Sequence, residues 1–208
     1  MAHGVARRFA GGRLVVATHN RGKAAEIRAM LGRLGVEIVS AADLGLPAPD
    51  ETGATFEANA ALKALAAARA SGLPALADDS GLSVAALDGQ PGVYTADWEG
   101  PTRDAMVGMR RIQDELRKRG TPDTDGGRAA TFHCVLALAW PDEHVETVHG
   151  TLDGRIVWPP RGNGGHGYDP CFQPQGGERT CAELTDAEKN AISHRGRAFA
   201  KLVEACFR

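Results

Sequence analysis

Leu73-Pro74-Ala75-Leu76-Ala77-Asp78-Asp79-Ser80-Gly81-Leu82 is the stretch from which the rest of the chain is read. Its short apolar run predicts a buried strand, and two adjacent carboxylates with a Ser-Gly turn follow directly. Carboxylates at a strand end can hold a hard divalent cation through oxygen and orient a water molecule. Taken alone, Asp-Asp-Ser-Gly favours a polar turn between two strands.

Three other segments point the same way. Arg13 to Ala17 reads as a buried strand, Thr18-His19-Asn20-Arg21-Gly22-Lys23 as a polar loop, and Ile27, Met30, Leu31 and Leu34 as one face of a helix. Strand, glycine-containing loop, lysine and helix suit a phosphate, because helix N-terminal amides point at the anion. The spacing is not that of a P-loop, and Thr or Asn before a helix is more often an N-cap. Gly162-Asn163-Gly164-Gly165-His166-Gly167-Tyr168-Asp169-Pro170 lets backbone approach a ligand closely. Tyr168 there either stacks on a base or packs on the core. In the last segment, Thr185 and Glu188 form a capping box that opens a final helix. Lys189, His194 and Arg195 then fall in its first turns, where cations oppose the helix dipole. They are either a solvated face or a site awaiting an anion or polar ligand.

Predicted elements are strands at 13–17, 36–39, 75–78 and 82–86, with helices at 22–34, 55–71 and 102–118. A hairpin of strands 129–140 and 143–150 turns at Pro141-Asp142-Glu143, and a helix at 185–205 closes the chain. Gly120 to Gly127 is a linker. Strands alternating with helices, then a hairpin, give an α/β protein with a mixed central β-sheet flanked by helices. Residues 1–12 read as a flexible extension and 13–208 as a single domain. The alanine-rich run Ala58–Ala70 predicts a closely packed helix face.

The ordered set of segments resembles the inosine/xanthosine triphosphate pyrophosphatase family. The matching stretches are Val15–Lys23 with Glu26, Glu51–Phe56 with Asn59 and Lys63, Ala77–Leu82, Pro91–Ala96, Ala130–Cys134, Gly164–Pro170, and Glu183–Thr185 through Ser193-His194-Arg195. His19 stands where a small residue is common, and His166 where phenylalanine is usual. The resemblance implies two lobes with the active-site cleft between them. It implies hydrolysis of dITP, ITP and XTP to monophosphate and pyrophosphate, one Mg2+ per subunit with Mn2+ a possible substitute, and a homodimer.

By that resemblance Asp79 activates water, and Glu51 and Asp79 lie near the metal, with Asp78 and Glu26 as secondary candidates. Glu26 is equally a salt-bridging residue. Thr18, His19, Asn20, Arg21, Gly22, Lys23 and Ser80 are substrate-binding candidates. Lys23 and the Thr18–Asn20 backbone would hold phosphates, and Lys63 either adds charge there or is an exposed helical lysine. Lys189, His194 and Arg195 would donate to the purine 6-oxo group, with His166, Gly167, Tyr168 and Asp169 around the base. A donor set of that kind rejects adenine, whose 6-amino group would face it donor to donor.

Composition bounds the alternatives. The chain has 208 residues, 43% hydrophobic and 24% charged, so it is neither disordered nor fibrous. A net charge of −2 supplies no global field for long nucleic acid. Four cysteines without Cys-x-x-Cys spacing suggest a reducing cytoplasm. The N-terminus lacks a signal-peptide apolar stretch, and no run approaches the roughly 20 residues that span a bilayer. A pyrophosphatase for modified pyrimidine or methylated nucleotides, and a non-catalytic nucleotide sensor, are the competing readings.

Overall fold

The computed structural model describes residues 6–18 and 27–208. β1 (Arg13–Val16) lies parallel to β2 (Glu37–Ser40) and to β3 (Ala75–Val84). Leu14, Val15 and Val16 are completely buried, as expected of a parallel strand covered on both faces. Residues 27–31 are helical and run into a 3-10 turn, Gly32–Leu34; the first residues of the helix expected at 22–34 lie outside the described residues. α1 (Phe56–Ser71) begins at Thr55, whose hydroxyl accepts from Ala58 N, and ends at left-handed Gly72. Its buried face is Phe56, Asn59, Ala60, Ala64, Ala67 and Ala68, so the alanine run serves close packing as expected.

The two strands expected around Asp-Asp-Ser-Gly are one. β3 runs unbroken through Asp78, Asp79, Ser80 and Gly81. Its first half pairs with β1, and Leu82 and Ser83 pair antiparallel with β4 (Pro91–Gly92). Ladder bonds on both halves hold extended a segment whose local preference is a turn. The consequence is chemical: consecutive strand residues face opposite ways, so Asp78 and Asp79 do not present their carboxylates side by side.

α2 (Ala105–Lys118) starts later than expected because Asp104, not the residue after Pro101, caps it through Met106 N. β5 (Ala129–Ala139) and β6 (Val145–Ile156) form the expected hairpin, closed by Trp140 N donating to His144 O. β6 runs past its expected end because β7 (Phe172–Pro174) pairs antiparallel with Gly154–Ile156. The sheet order is β2-β1-β3-β5-β6-β7, with β4 on β3, a mixed sheet.

The single final helix is two. α3 (Asp186–Ile192) opens on the expected Thr185–Glu188 capping box, with Arg179 and the Thr185 backbone holding the Glu188 carboxyl down at about 2. Ser193 is extended, and α4 (His194–Leu202) begins after it, with Ser193 Oγ accepting from Gly196 N. A π turn, Val203–Phe207, ends the chain. Lys189 therefore sits in the last turn of α3, where a cation suits the dipole; the argument from an opposed dipole applies only to His194 and Arg195.

The chain divides into two compact units, Met1–Asp79 with Cys134–Gly150 and Arg197–Arg208, and Ser80–His133 with Thr151–Gly196. The first has a core of Leu14, Val16, Ile27, Leu31, Leu76, Leu136, Leu138 and Leu202. The second is built on Leu82, Ile112, Leu116, Phe132, Ile156, Tyr168 and Phe172. Residues 6–12, expected as a flexible extension, are anchored in the first unit. Arg7 pairs with Asp142 and lies over Trp140, and Phe9 N donates to Cys206 O. All four cysteines are buried and none is in a disulfide, and burial followed by Asp169 pushes the Cys181 thiol up to about 12. Among the described residues no helix is long and apolar enough to cross a membrane.

One close approach fixes the second core. A Cβ at Gly108 of α2 would fall on the Tyr168 hydroxyl, which is pinned by donating to Thr95 O at 2.9 Å. Gly108→Ala gains about 0.8–1 kcal/mol of helix propensity but overpacks by about 1–3 kcal/mol. The expected outcome in urea unfolding is net destabilisation; a stabilised variant would show that the Tyr168 ring moves freely.

Candidate active site

The site in the first unit starts at the carboxyl ends of parallel strands, where open α/β sheets place ligands. Val16 is registered with Leu76, and Ala17 N donates to Leu76 O, so β1 ends alongside the strand that carries Asp78 and Asp79. Thr18 is half-buried; His19, Asn20, Arg21, Gly22, Lys23 and Glu26 lie outside the described residues.

Asp79 is 5% exposed and both its carboxylate oxygens accept from α1. Lys63 Nζ donates to Oδ1 at 3.1 Å and Asn59 Nδ2 to Oδ2 at 3.3 Å. Lys63 Nζ also donates to Glu51 Oε1 at 2.9 Å. Lys63 and Asn59 are four residues apart, so one helical face presents both to the strand. The lysine is therefore not the exposed helical residue that composition allows. Burial lowers its pKa, but Asp79, then Glu51 and Asp78, outweigh burial and leave it above the ordinary 10.5. This contribution to stability is present below pH 10.5 and is lost as pH rises through the higher folded value.

Asn59 is the residue whose role the sequence did not reveal. It is 2% exposed, and its Oδ1 accepts from Gly53 N at 2.8 Å, which directs its Nδ2 to Asp79. It thus ties the Glu51–Gly53 loop to the catalytic candidate. A Cβ on Gly53 would lie 2.6 Å from that Oδ1, so the loop approaches α1 only as glycine. A single polar residue on a face of buried alanines was the available signal.

Glu51 and Asp79 form an all-oxygen pair converging on a positive charge. Among the described residues no group of three or more His, Cys, Asp or Glu is gathered for a metal. One or two carboxylates completed by substrate phosphates is the pattern of Mg2+, not of an all-protein cage, so the residues present fit that ion.

In the second unit, Lys189 Nζ lies 2.6 Å from Asp169 Oδ2, with both side chains under a tenth exposed. The same oxygen accepts from His166 N at 2.7 Å, so Asp169 holds both the glycine-rich loop and the lysine. His194 and Arg195 are 8% and 4% exposed, which excludes a solvated surface pair. The His194 ring stacks on Phe132 with centroids 5.0 Å apart, and Arg195 Nη2 donates to Ser80 Oγ at 3.4 Å. The base-stacking expectation fails for Tyr168. Its ring is 4% exposed within the core cluster, and burial, with Glu99 adding to it, pushes the phenol up. The His166 side chain, by contrast, is exposed.

A cavity of about 810 Å³ in the second unit is lined by Ser83, His133, Asp153, Arg155, Gln173 and Gln175, among others. It includes none of the expected site residues. Arg155 is engaged by Asp123 and Asp125, so the lining offers no surplus cation for a polyphosphate.

A model of the Ham1 family matches residues 14–205. The chain belongs to the Ham1 family. It is 57% identical over 201 residues to a dITP/XTP pyrophosphatase of Rhodospirillum centenum, covering 97% of this chain and 98% of that protein. It is 54% identical over 196 residues to a dITP/XTP pyrophosphatase of Gluconobacter oxydans, covering 94% and 91%. The structure of a HAM1 protein from Coxiella burnetii superposes with a TM-score of 0.85 at 40% identity, covering 92% of this chain and 96% of that one. The Ham1 fold accounts for the mixed central sheet flanked by helices.

Replacing Asn59 by Ala strips Gly53 N and Asp79 Oδ2 of a buried partner together. Loss of about 1–3 kcal/mol in denaturant unfolding is expected, accompanied by reduced turnover. Unchanged stability and turnover would show that the amide does not hold the loop to Asp79.

Proposed function

We infer that this Ham1 protein hydrolyses the non-standard purine nucleoside triphosphates dITP, ITP and XTP to the monophosphate and pyrophosphate. That activity removes them from the pool before they enter DNA and RNA. The observation that carries the reading is the Glu51–Lys63–Asp79 cluster, in a chain more than half identical to dITP/XTP pyrophosphatases over nearly its whole length.

The bond broken joins the α-phosphorus to the oxygen bridging to the β-phosphorus. Water oxygen bonds to the α-phosphorus, pyrophosphate leaves, and the water proton is taken up by a base. The substrate carries roughly four negative charges, so hydrolysis needs them neutralised and the water held in line. Asp79, fixed by Asn59 and Lys63, is the proton acceptor in this reading and would hold a divalent cation together with Glu51. Asp78, on the opposite strand face, is the weaker ligand candidate. When bound, Mg2+ or Mn2+ supplies charge neutralisation at the phosphate oxygens. Lys63 and Thr18, with the segment His19–Lys23, serve the phosphates; Glu26 is a further candidate toward the cation.

Lys189, His194 and Arg195 read the base in this account, with Ser80, His166 and Gly167 beside them. Asp169 acts on the base through Lys189, leaving the remaining ammonium protons to donate. The buried positions of these donors support a polar reading of the 6-oxo group, since a donor set held away from water discriminates strongly between a 6-oxo acceptor and a 6-amino donor. Tyr168 shapes the loop from within the core. We place the protein in the cytoplasm, as a homodimer.

The test is a panel of purine and pyrimidine triphosphates assayed for pyrophosphate with and without Mg2+. Metal-dependent release from ITP, dITP and XTP, far above ATP, is expected. Pyrimidine preference would move the substrate class, and binding without turnover would make the protein a sensor. Asp79→Asn should lower kcat at least about tenfold, a ~1.4 kcal/mol higher barrier, with nucleotide affinity largely kept. A smaller loss would remove Asp79 from proton transfer.

A further inference from the structure

The ammonium of Lys63 stands where a cation shared by Glu51 and Asp79 would interact, 2.9 Å from one carboxylate oxygen and 3.1 Å from the other. Three features hold it there. Its side chain is 13% exposed, so it has little room to swing into solvent. α1 is capped at both ends, which fixes the helix face that carries it. Asn59 secures Asp79 from one turn earlier on the same face, so the carboxylate cannot turn away.

A divalent ion bound to the same two carboxylates would lie close to this ammonium, and on the Asp79 side, where the lysine and aspartate side chains are 13% and 7% exposed, little water screens the repulsion. The lysine must therefore leave, and it needs another acceptor when it does. A triphosphate provides one, because its oxygens are anionic and a lysine ammonium binds them as a point charge.

We propose that Lys63 is an internal counter-ion that keeps the Glu51–Asp79 pair closed to a bare divalent cation. The cation then enters as its complex with the nucleotide, whose phosphates draw the ammonium off the carboxylates. The inference rests on the reading that Glu51 and Asp79 hold the metal. It adds an order of binding and a selection against free metal.

The experiment titrates Mn2+ into the full chain without nucleotide and follows free Mn2+ by electron paramagnetic resonance. Wild type, Lys63→Met, Lys63→Arg, Glu51→Gln alone, and Lys63→Met combined with Glu51→Gln are compared, with circular dichroism confirming the fold. Lys63→Met keeps the unbranched stem without the charge and should bind Mn2+ at least about tenfold more tightly than wild type. Lys63→Arg should show no gain, and Glu51→Gln should abolish the gain. Lys63→Gln substitutes if Lys63→Met does not fold.

Equal or weaker Mn2+ binding by the uncharged variant overturns the proposal. If Glu51→Gln alone still weakens Mn2+ binding in that case, the metal site stands and only the counter-ion role falls. If Glu51→Gln changes nothing, the metal-site reading falls with it.

Discussion

The bond pair from one helical face to Asp79 is the constraint on which the site depends. Asp79 is nearly buried in a strand, and a carboxylate in that position is tolerable only when its oxygens are met. Lys63 meets one and Asn59 the other. The same two residues reach back to Glu51 and to Gly53 N, so a loop with no regular structure is fixed by the helix that follows it. The helix can do this because its remaining buried face is alanine, which lets it approach the strand closely.

A parallel arrangement holds in the second unit. Asp169 meets Lys189 and the His166 amide, and Thr95 meets the Tyr168 hydroxyl and Leu82 N. In both units one buried polar side chain answers a charged or loop group from a different element. Such networks raise the cost of alternative arrangements, because each partner loses its hydrogen bond when the other moves. Arg195 and His194 are sequestered from water in the same region of the chain, where their donors are worth more than at a surface.

Local signals were legible where local chemistry decides the outcome. Strand β1, helix α1, the β5–β6 hairpin and the Thr185–Glu188 cap are all set by apolar period or by side chain to backbone bonds within a few residues. The segment Asp78–Gly81 was not legible, because turn chemistry there is overridden by a place in the sheet between β1 and β5, which are distant in sequence. The break at Ser193 was missed for the opposite reason: a serine cap inside a helical pattern is a single weak bond. The orientation of Tyr168 depends on the missing side chain of Gly108 in another element, and no local pattern reports that. Among the candidate site residues, Glu51 and Asp79 meet at the Lys63 ammonium. The role of Asn59 depends on its burial between Gly53 and Asp79, whereas an asparagine on a helix usually faces water.

In the proposed reaction this chain directs water to the α-phosphorus of a purine triphosphate. Hydrolysis of ITP in ¹⁸O-enriched water, with the products analysed by mass spectrometry, tests it most directly. One ¹⁸O atom is expected in the inosine monophosphate and none in the pyrophosphate. Label in the pyrophosphate, or orthophosphate as the released product, would contradict it.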